Sequence, residues 1–258
     1  MTWRIFCYHA IEPARQASFR AQLEHWLGRG WRFCSVSDGV RHLRSSQPGR
    51  FLTVTFDDGD TTAVEVAQPV LAELGIPACL YLVTDYVTMG HTYRDTPPRP
   101  ALTWKQIEAW LAAGHEVGSH SHTHAPLDRC HPSRVEQELV LSKQIIENHA
   151  GVAPRHLSFP WGQWSAAVCA IAGALGLYDT LATIDRGANR AGPAPLLLRR
   201  DVVDPGWSPQ RMDIMIRWGR SGFYRLQRRL RRPAGYWDTH PEERWGLLEA
   251  AVEGPHAV

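Results

Sequence analysis

Apolar residues are arranged along the chain as short continuous runs, separated by longer segments in which they recur every three to four positions. Runs bounded by turn residues are typical of buried strands, and the three-to-four spacing is typical of helices. The runs predict strands at residues 3–9, 51–56, 79–83, 115–119, 156–159, 178–183 and 196–200. The spaced segments predict helices at residues 19–27, 62–74, 103–113 and 133–149, and a weaker helix precedes the sixth strand.

This alternation of strands and helices predicts an α/β fold with a largely parallel sheet. About seven such units within some 200 residues favour a closed or nearly closed (β/α) barrel over an open sheet. Prolines at 193, 195, 205 and 209 interrupt the later part of the chain. We therefore expect a barrel domain over residues 1–208 and a basic, helical C-terminal extension over residues 209–258.

Composition narrows the class of protein. The 258 residues are 44% apolar and 21% charged, which is too apolar for a disordered chain. No run of eighteen apolar residues predicts a membrane span, and no secretory signal is visible at the start. The five cysteines are scattered and form no CxxC pair, which favours reduced thiols. These features predict a cytoplasmic protein.

Positive charge is concentrated late in the chain. Residues 199–232 contain ten arginines against Asp201, Asp204 and Asp213, mixed with Trp, Phe and Tyr. This pattern suits a helix lying on an anionic membrane surface at the inner face. The alternative is a helix that packs its apolar side on the barrel. No nucleic-acid partner is expected, since no nucleic-acid fold motif accompanies the arginines.

Two adjacent carboxylates follow the second strand, in the segment TFDDG that contains Asp57 and Asp58. Carboxylates at the end of a buried strand need a cation or dense hydrogen bonding. One of them could bind a metal while the other faces a water on that metal. The alternative is an ordinary turn or helix cap, because Asp-Asp-Gly is common turn chemistry.

A histidine-rich tract, SHSHTH, follows the fourth strand. His120 and His124 could coordinate one ion, and with one carboxylate they would form a site that leaves positions open for water and substrate. His122 is expected to point elsewhere, and His115 and His131 to be structural or surface histidines. After the next strand comes FPWG, a rigid turn that could aim a backbone N–H at a developing oxyanion, or simply pack.

The segments TFDDG, SHSHTH and FPWG, in this order and spacing, resemble the polysaccharide deacetylases of carbohydrate esterase family 4, the NodB-homology domain. The resemblance covers roughly residues 3–203. It implies a distorted (β/α) barrel that removes acetyl groups from N-acetylated sugars with one divalent metal ion. It implies Asp57 as general base, Asp58, His120 and His124 as metal ligands, and the Trp161 N–H as an oxyanion donor between Pro160 and Gly162, which would border the substrate.

The chain departs from the family pattern at two places. Ser158 stands where the family carries the arginine that holds the catalytic aspartate, and the Leu-x-x-His motif of the general-acid histidine is missing. Tyr8-His9 is similar instead to the strand end of the poly-N-acetylglucosamine deacetylases, in which an N-terminal histidine is the acid. We therefore expect His9 to be the acid, with His240 as the fallback, although a buried structural histidine is the alternative. Arg200 or Arg199 is expected to replace the missing arginine.

The resemblance implies a metal-dependent carbohydrate N-deacetylase, a hydrolase of C–N bonds other than peptide bonds, acting on an N-acetylated glycan that is polymeric or lipid-linked. Zinc is the expected cofactor, with cobalt, nickel or iron as alternatives. Two other functions stay open: an amidase acting on a non-sugar acetamide, and an inactive glycan-binding barrel. A glycosidase is disfavoured, because adjacent aspartates rarely place their carboxyl groups about 5–9 Å apart across a glycosidic bond.

Overall fold

The computed structural model describes residues 2–90, 92–93, 99–192 and 194–218. Within them the strands are β1 (Thr2–Tyr8), β2 (Arg32–Phe33), β3 (Arg50–Phe56), β4 (Ala78–Leu82), β5 (Thr92–Tyr93), β6 (Arg99–Pro100), β7 (Glu116–Ser119), β8 (His156–Ser158), β9 (Thr180–Ala182), β10 (Leu196–Leu198) and β11 (Asp201–Val202). The α-helices are α1 (Gln16–Gly28), α2 (Val36–Arg44), α3 (Gln68–Leu74), α4 (Thr84–Met89), α5 (Trp104–Ala112), α6 (Pro132–Ala150), α7 (Ala166–Leu175) and α8 (Pro209–Trp218).

The main sheet has the strand order β10-β9-β8-β7-β4-β3-β1-β11, and β2 pairs with β3. Every pair in it is parallel, and β1 and β3 are in register from Thr2 opposite Arg50 to Tyr8 opposite Phe56. Helices surround this curved sheet, so the distorted (β/α) barrel expected from the sequence is confirmed. Because all strands run the same way, their carboxyl ends meet at one end of the barrel, here called the mouth, and their amino ends at the other, the floor.

Helix α2 covers the floor. Its apolar residues Val36, Val40 and Leu43 pack with Trp3 and Phe51 at the starts of β1 and β3. Gly39 lies directly on Trp3, since a Cβ atom at this position would come within 2.2 Å of the indole. This close packing explains why a helix with a glycine in its middle is stable despite the poor helix propensity of that residue.

The predicted strands and helices are all present, with ends displaced by a few residues. The helix predicted at residues 62–74 begins as a π-helical turn, Ala63–Ala67, before α3. Thr103 caps α5 through a capping box with Gln106, as is usual for Thr-x-x-Gln. Five elements were not predicted. Four of them, β2, α4, the β5–β6 hairpin and β11, are very short, whereas α2 was missed although Val36, Val40 and Leu43 have helical spacing.

Helix α8 packs on the barrel. Met212 and Ile216 are buried against the core that contains Trp26 of α1, and Asp213 lies 2.8 Å from the guanidinium group of Arg29. Helix α8 therefore packs its apolar side on the barrel, which is the second of the two interpretations that the sequence allowed. The rest of the basic extension, with His240, lies outside the described residues. No helix in the described part of the chain is long and apolar enough to cross a membrane.

Candidate active site

The chemistry-bearing residues follow successive strands at the mouth. His9 comes directly after β1, Asp57 and Asp58 after β3, and His120 after β7. Ser158 is the last residue of β8. Carboxyl ends of barrel strands are the usual place for active sites, because several loops converge there on a rigid sheet.

Asp58, His120 and His124 form a cluster in which one ligand atom from each lies within 4.8 Å of the others. The Nε2 atoms of both histidines are 3.4 Å from Asp58 Oδ1. Two imidazoles and one carboxylate are a donor set that suits zinc, iron, cobalt or nickel.

The orientation of His120 fits a metal ligand. Its Nδ1 lies 2.8 Å from the carbonyl oxygen of Ser158. A carbonyl can only accept, so Nδ1 carries a proton, and Nε2 is the nitrogen that faces Asp58 and can ligate an ion. A hydrogen bond that fixes the far side of a ligating imidazole in this way is typical of metal sites. The three residues present therefore fit the divalent ion that the sequence implies.

Burial and charge set the protonation of the cluster. Burial lowers the pKa of His124 to about 4, so this imidazole is neutral at neutral pH. Burial also acts to lower the pKa of His120, but the negative charges of Asp57 and Asp58 outweigh it and raise the value. For Asp58, burial raises the pKa, yet the hydrogen bond from His120 and the charge of His124 bring it well below its usual range. The ionised carboxylate of Asp58 therefore lies in a partly buried site, where it favours a cation.

The carboxylate of Asp57 is hydrogen-bonded by Arg200. In the family pattern the corresponding arginine stands at the position of Ser158, next to FPWG. The Nη1 atom of Arg200 donates to Asp57 Oδ1 at 2.6 Å, and Nη2 donates to Oδ2 at 2.7 Å. Arg200 is fully buried and also donates to Thr183 O and Ser158 Oγ. The bidentate pair fixes both the position and the plane of the carboxylate.

The neighbouring arginine, Arg199, is exposed, and its guanidinium group donates to the carbonyl oxygen of Arg186. Of the two arginines expected as replacements, the structure therefore brings Arg200 to the aspartate. Burial alone would raise the pKa of Asp57, but the charge and hydrogen bonds of Arg200, helped by His120, hold it far below the usual range. Asp57 is consequently ionised over the whole range of physiological pH.

His9 lies at the rim of the same site. A ring nitrogen of His9, the Cys7 sulfur and a carboxylate oxygen of Asp57 are within 4.8 Å of one another. Cys7 is buried and its sulfur is 3.5 Å from Asp57 Oδ2, whereas His9 is exposed to solvent. His9 is therefore not the buried structural histidine that the sequence left as the alternative.

Trp161 forms one wall of the site. Its indole packs on His124 with ring centres 4.8 Å apart, and its side chain is 45% exposed. Pro160 is buried, and Gly162 is packed so closely on Ile184 that a Cβ atom would come within 2.2 Å. FPWG is thus a rigid turn next to the candidate metal ligands Asp58, His120 and His124.

The histidine loop is anchored from beneath by Glu138 of α6. This fully buried carboxylate accepts hydrogen bonds from the backbone N–H groups of His122 and Thr123, from the Thr123 hydroxyl and from Arg134. The His122 ring turns away from the metal cluster, with Nδ1 2.9 Å from the Thr84 hydroxyl.

His115 and His131, the two histidines expected to be structural or exposed, form contacts outside the candidate metal site. His115 Nδ1 accepts from the backbone N–H of Ala78, and His131 caps α6 by accepting from Ser133 N–H. These contacts match the sequence expectation that neither belongs to the metal cluster.

Backbone strain is concentrated at this site. Five non-glycine residues in the described ranges have positive φ, and four of them are Asp58, Ser121, His124 and Trp161. Each such residue costs roughly 1–3 kcal/mol unless the surroundings hold it in place. The hydrogen-bonded loops described above provide that support, and strain of this kind is characteristic of functional sites.

Sequence reasoning did not assign roles to Cys7, Ser158 or Glu138. The two-residue period of β1 places Cys7 on the same face as His9, so its proximity to Asp57 could have been anticipated. Glu138 gave no signal, because a glutamate within a helical segment is ordinarily exposed.

The sequence profile of the polysaccharide deacetylase family matches residues 44–179, slightly more than half of the chain. The chain belongs to the polysaccharide deacetylase family. The family resemblance inferred from the three motifs is therefore confirmed.

Two chitooligosaccharide deacetylases are among the proteins whose sequences resemble this chain. The chain is 32% identical over 130 residues to a chitooligosaccharide deacetylase of Bradyrhizobium sp., and it is also 32% identical over 137 residues to one of Sinorhizobium fredii. These matches cover 50% and 52% of this chain and 53% and 57% of the two enzymes, so the chain spans only about half the length of these curated relatives.

Solved structures show the same fold over more of the chain. The Streptococcus pyogenes deacetylase PplD, in complex with acetate, superposes with a TM-score of 0.73 at 23% identity, covering 84% of this chain and 98% of that one. IcaB from Ammonifex degensii gives a TM-score of 0.73 at 24% identity, covering 83% and 97%. At this level of identity the likeness establishes the fold.

Proposed function

We propose that this protein is a metal-dependent hydrolase that removes the acetyl group from an N-acetylated sugar. The observation that carries this proposal is the pairing of Asp57 with Arg200 beside the cluster of Asp58, His120 and His124. An ionised carboxylate next to a cation site is the arrangement that hydrolysis of an amide by an activated water requires.

Asp58, His120 and His124 would hold one divalent ion, and zinc suits this donor set best at neutral pH. When bound, such an ion supplies Lewis-acid polarisation of the acyl oxygen and lowers the pKa of water. The protein contributes the ligand geometry, which the Ser158 carbonyl and the anchored histidine loop keep fixed.

Asp57 is proposed as the general base that accepts a proton from the attacking water. Arg200 keeps its carboxylate ionised and oriented, so the group is always available as an acceptor. The Trp161 backbone N–H, on the left-handed turn beside His124, is proposed as a hydrogen-bond donor to the oxyanion. Pro160 and Gly162 make that turn rigid and border the substrate.

His9 is proposed as the general acid that protonates the departing amine. It is the exposed member of its cluster and lies near Asp57, where a substrate entering from solvent can meet it. An amide nitrogen leaves poorly without a proton, so this step contributes a large part of the rate.

The substrate class rests on family membership, since members of this family include deacetylases of chitin oligosaccharides. Acetate release from free, nucleotide-linked, lipid-linked and polymeric N-acetyl sugars tests it. Release from one of these classes supports the proposal. Hydrolysis only of non-sugar acetamides, or none at all with metal bound, contradicts it and favours the amidase or the inactive glycan-binding barrel.

Contact with an anionic membrane is a separate part of the proposal, and it rests on the arginine-rich sequence that continues from α8. Co-sedimentation with anionic vesicles should be seen with the full chain, fade at high salt and be lost when residues 219–258 are removed. Recovery of the full chain in the supernatant under all conditions contradicts membrane attachment.

A further inference from the structure

A cavity whose wall combines arginine side chains with two indoles lies at the floor of the barrel. It has a volume of about 200 Å³ and is lined by Arg4, Arg29, Arg50, Trp26, Trp31 and Ile216. We call it the floor pocket. Arg4 and Arg50 stand on the same face of the neighbouring strands β1 and β3, and Arg29 follows the end of α1.

The guanidinium groups have unused hydrogen-bonding capacity. Arg4 uses Nε and Nη2 on Asp201 and on the carbonyl oxygen of Ile216. Arg29 uses Nη2 on Asp213, and Arg50 uses Nη2 on the carbonyl oxygen of Arg29. Within the described residues, these contacts leave several of the fifteen guanidinium N–H donors available to a ligand.

The charge of the pocket is positive. Three guanidinium groups face two carboxylates, and Arg50 has no acidic partner among the described residues. The guanidinium of Arg50 instead lies over the ring of Trp31, at 5.9 Å from its centre. An anion is therefore attracted to this end of the molecule.

The shape and donors select among anions. A carboxylate offers two oxygens in one plane, whereas a phosphate group offers oxygens in tetrahedral directions that three separate guanidinium groups can share. The indole walls can cover the apolar carbon atoms attached to that phosphate.

We propose that the floor pocket is a binding site for a phosphate ester. The pocket is independent of the proposed active site: β1 and β3 each run six residue steps from the floor to the mouth, about 20 Å at roughly 3.3 Å per residue. A ligand at the floor therefore leaves the mouth open. If the phosphate belongs to a membrane lipid, the barrel is docked with its mouth directed away from the bilayer.

Calorimetric titration with inorganic phosphate and glycerol 3-phosphate tests the site, and co-sedimentation with phosphatidylglycerol vesicles tests the lipid source. We expect Arg50→Gln and Arg29→Gln each to weaken binding about tenfold or more, the effect of losing a charged hydrogen bond. Arg129→Gln removes the same charge from an exposed residue in the loop that follows β7 at the mouth, and it should bind like the wild type. Unfolding temperature and metal content should be unchanged in Arg50→Gln.

Binding of glycerol 3-phosphate without vesicle binding assigns the pocket to soluble phosphate esters. Vesicle binding that falls with Arg50→Gln and Arg29→Gln assigns it to a lipid headgroup. Absence of binding by every probe, or equal binding by the wild type and both floor variants, overturns the proposal. Arg50 is exposed at the start of its strand, so Arg50→Gln remains decisive even if Arg29→Gln does not fold.

Discussion

Arg200 clamps Asp57 through two short hydrogen bonds across 143 positions of sequence. In the common family pattern the arginine with this task stands where this chain has Ser158. Here the Ser158 hydroxyl accepts from Arg200 and donates to Asp57 Oδ2 at 3.3 Å, so Ser158 and Arg200 hold Asp57 together.

Arg200→Gln should slow acetate release about a hundredfold or more, because it releases the proposed base and leaves a buried carboxylate without its cation. The pKa of Asp57 should rise, since burial then acts without the opposing charge. The carboxylate would then protonate at a higher pH than in the wild type, so the ratio of variant to wild-type rate should fall as the pH is lowered from 8 to 5. Arg199→Gln changes the exposed neighbour and should have a ratio near one that does not depend on pH. A pH-independent ratio for Arg200→Gln contradicts the proposed role.

Asp58→Ala or His124→Ala should abolish stoichiometric binding of zinc, because each removes one of three ligands. Asp57→Asn should keep the metal and lose most turnover, since it removes the proton acceptor alone. Elemental analysis after dialysis, together with acetate release, separates the two effects. His131→Asn, which replaces an exposed histidine with another good helix cap, is the matched control and should retain metal. Full metal content in both Asp58→Ala and His124→Ala would contradict the assignment of these residues as metal ligands.

His9→Ala should reduce turnover of an N-acetyl sugar by about 10²–10⁴, the usual contribution of a general acid. An aryl acetate has a leaving group that needs no proton, so the same variant should lose less than about tenfold on that substrate. Metal content should not change. Equal losses on both substrates would show that His9 does something other than protonate the leaving group.

Glu138→Gln should weaken zinc binding about tenfold and lower the free energy of unfolding by about 1–3 kcal/mol, because a neutral side chain cannot satisfy the same four donors. Arg134→Met removes one of those donors and leaves the two backbone contacts, so its effect on metal affinity should be smaller. Calorimetric metal titration and denaturant unfolding, with and without zinc, make the comparison. Wild-type affinity in Glu138→Gln would limit this residue to a purely structural role.

Much of the fold was predictable because the buried parallel strands are continuous apolar runs and the helices have clear periods and stops. The motif residues were predictable as a set, since they follow those strands and must meet at one end of the barrel. The sequence did not predict which of Arg199 and Arg200 contacts Asp57. Leu196 and Leu198 are buried while Leu197 is 37% exposed, and Arg200 continues the buried side. Three identical leucines carry no polar alternation, so this side could not be inferred from the sequence.

Asp57 and Arg200 are in contact but lie far apart in the sequence, and this affects the order in which the barrel can fold. Asp57 is synthesised with the third strand, whereas its cation and the neighbouring strand β11 follow only at residues 200–202. A partly made chain has no buried counter-ion for this carboxylate, and drying the mouth without one would be strongly unfavourable. The mouth of the barrel should therefore stay hydrated until late in folding, while the part of the floor made by Trp3, Phe51 and α2 can pack early. Closure of the mouth and completion of the sheet are then the same event.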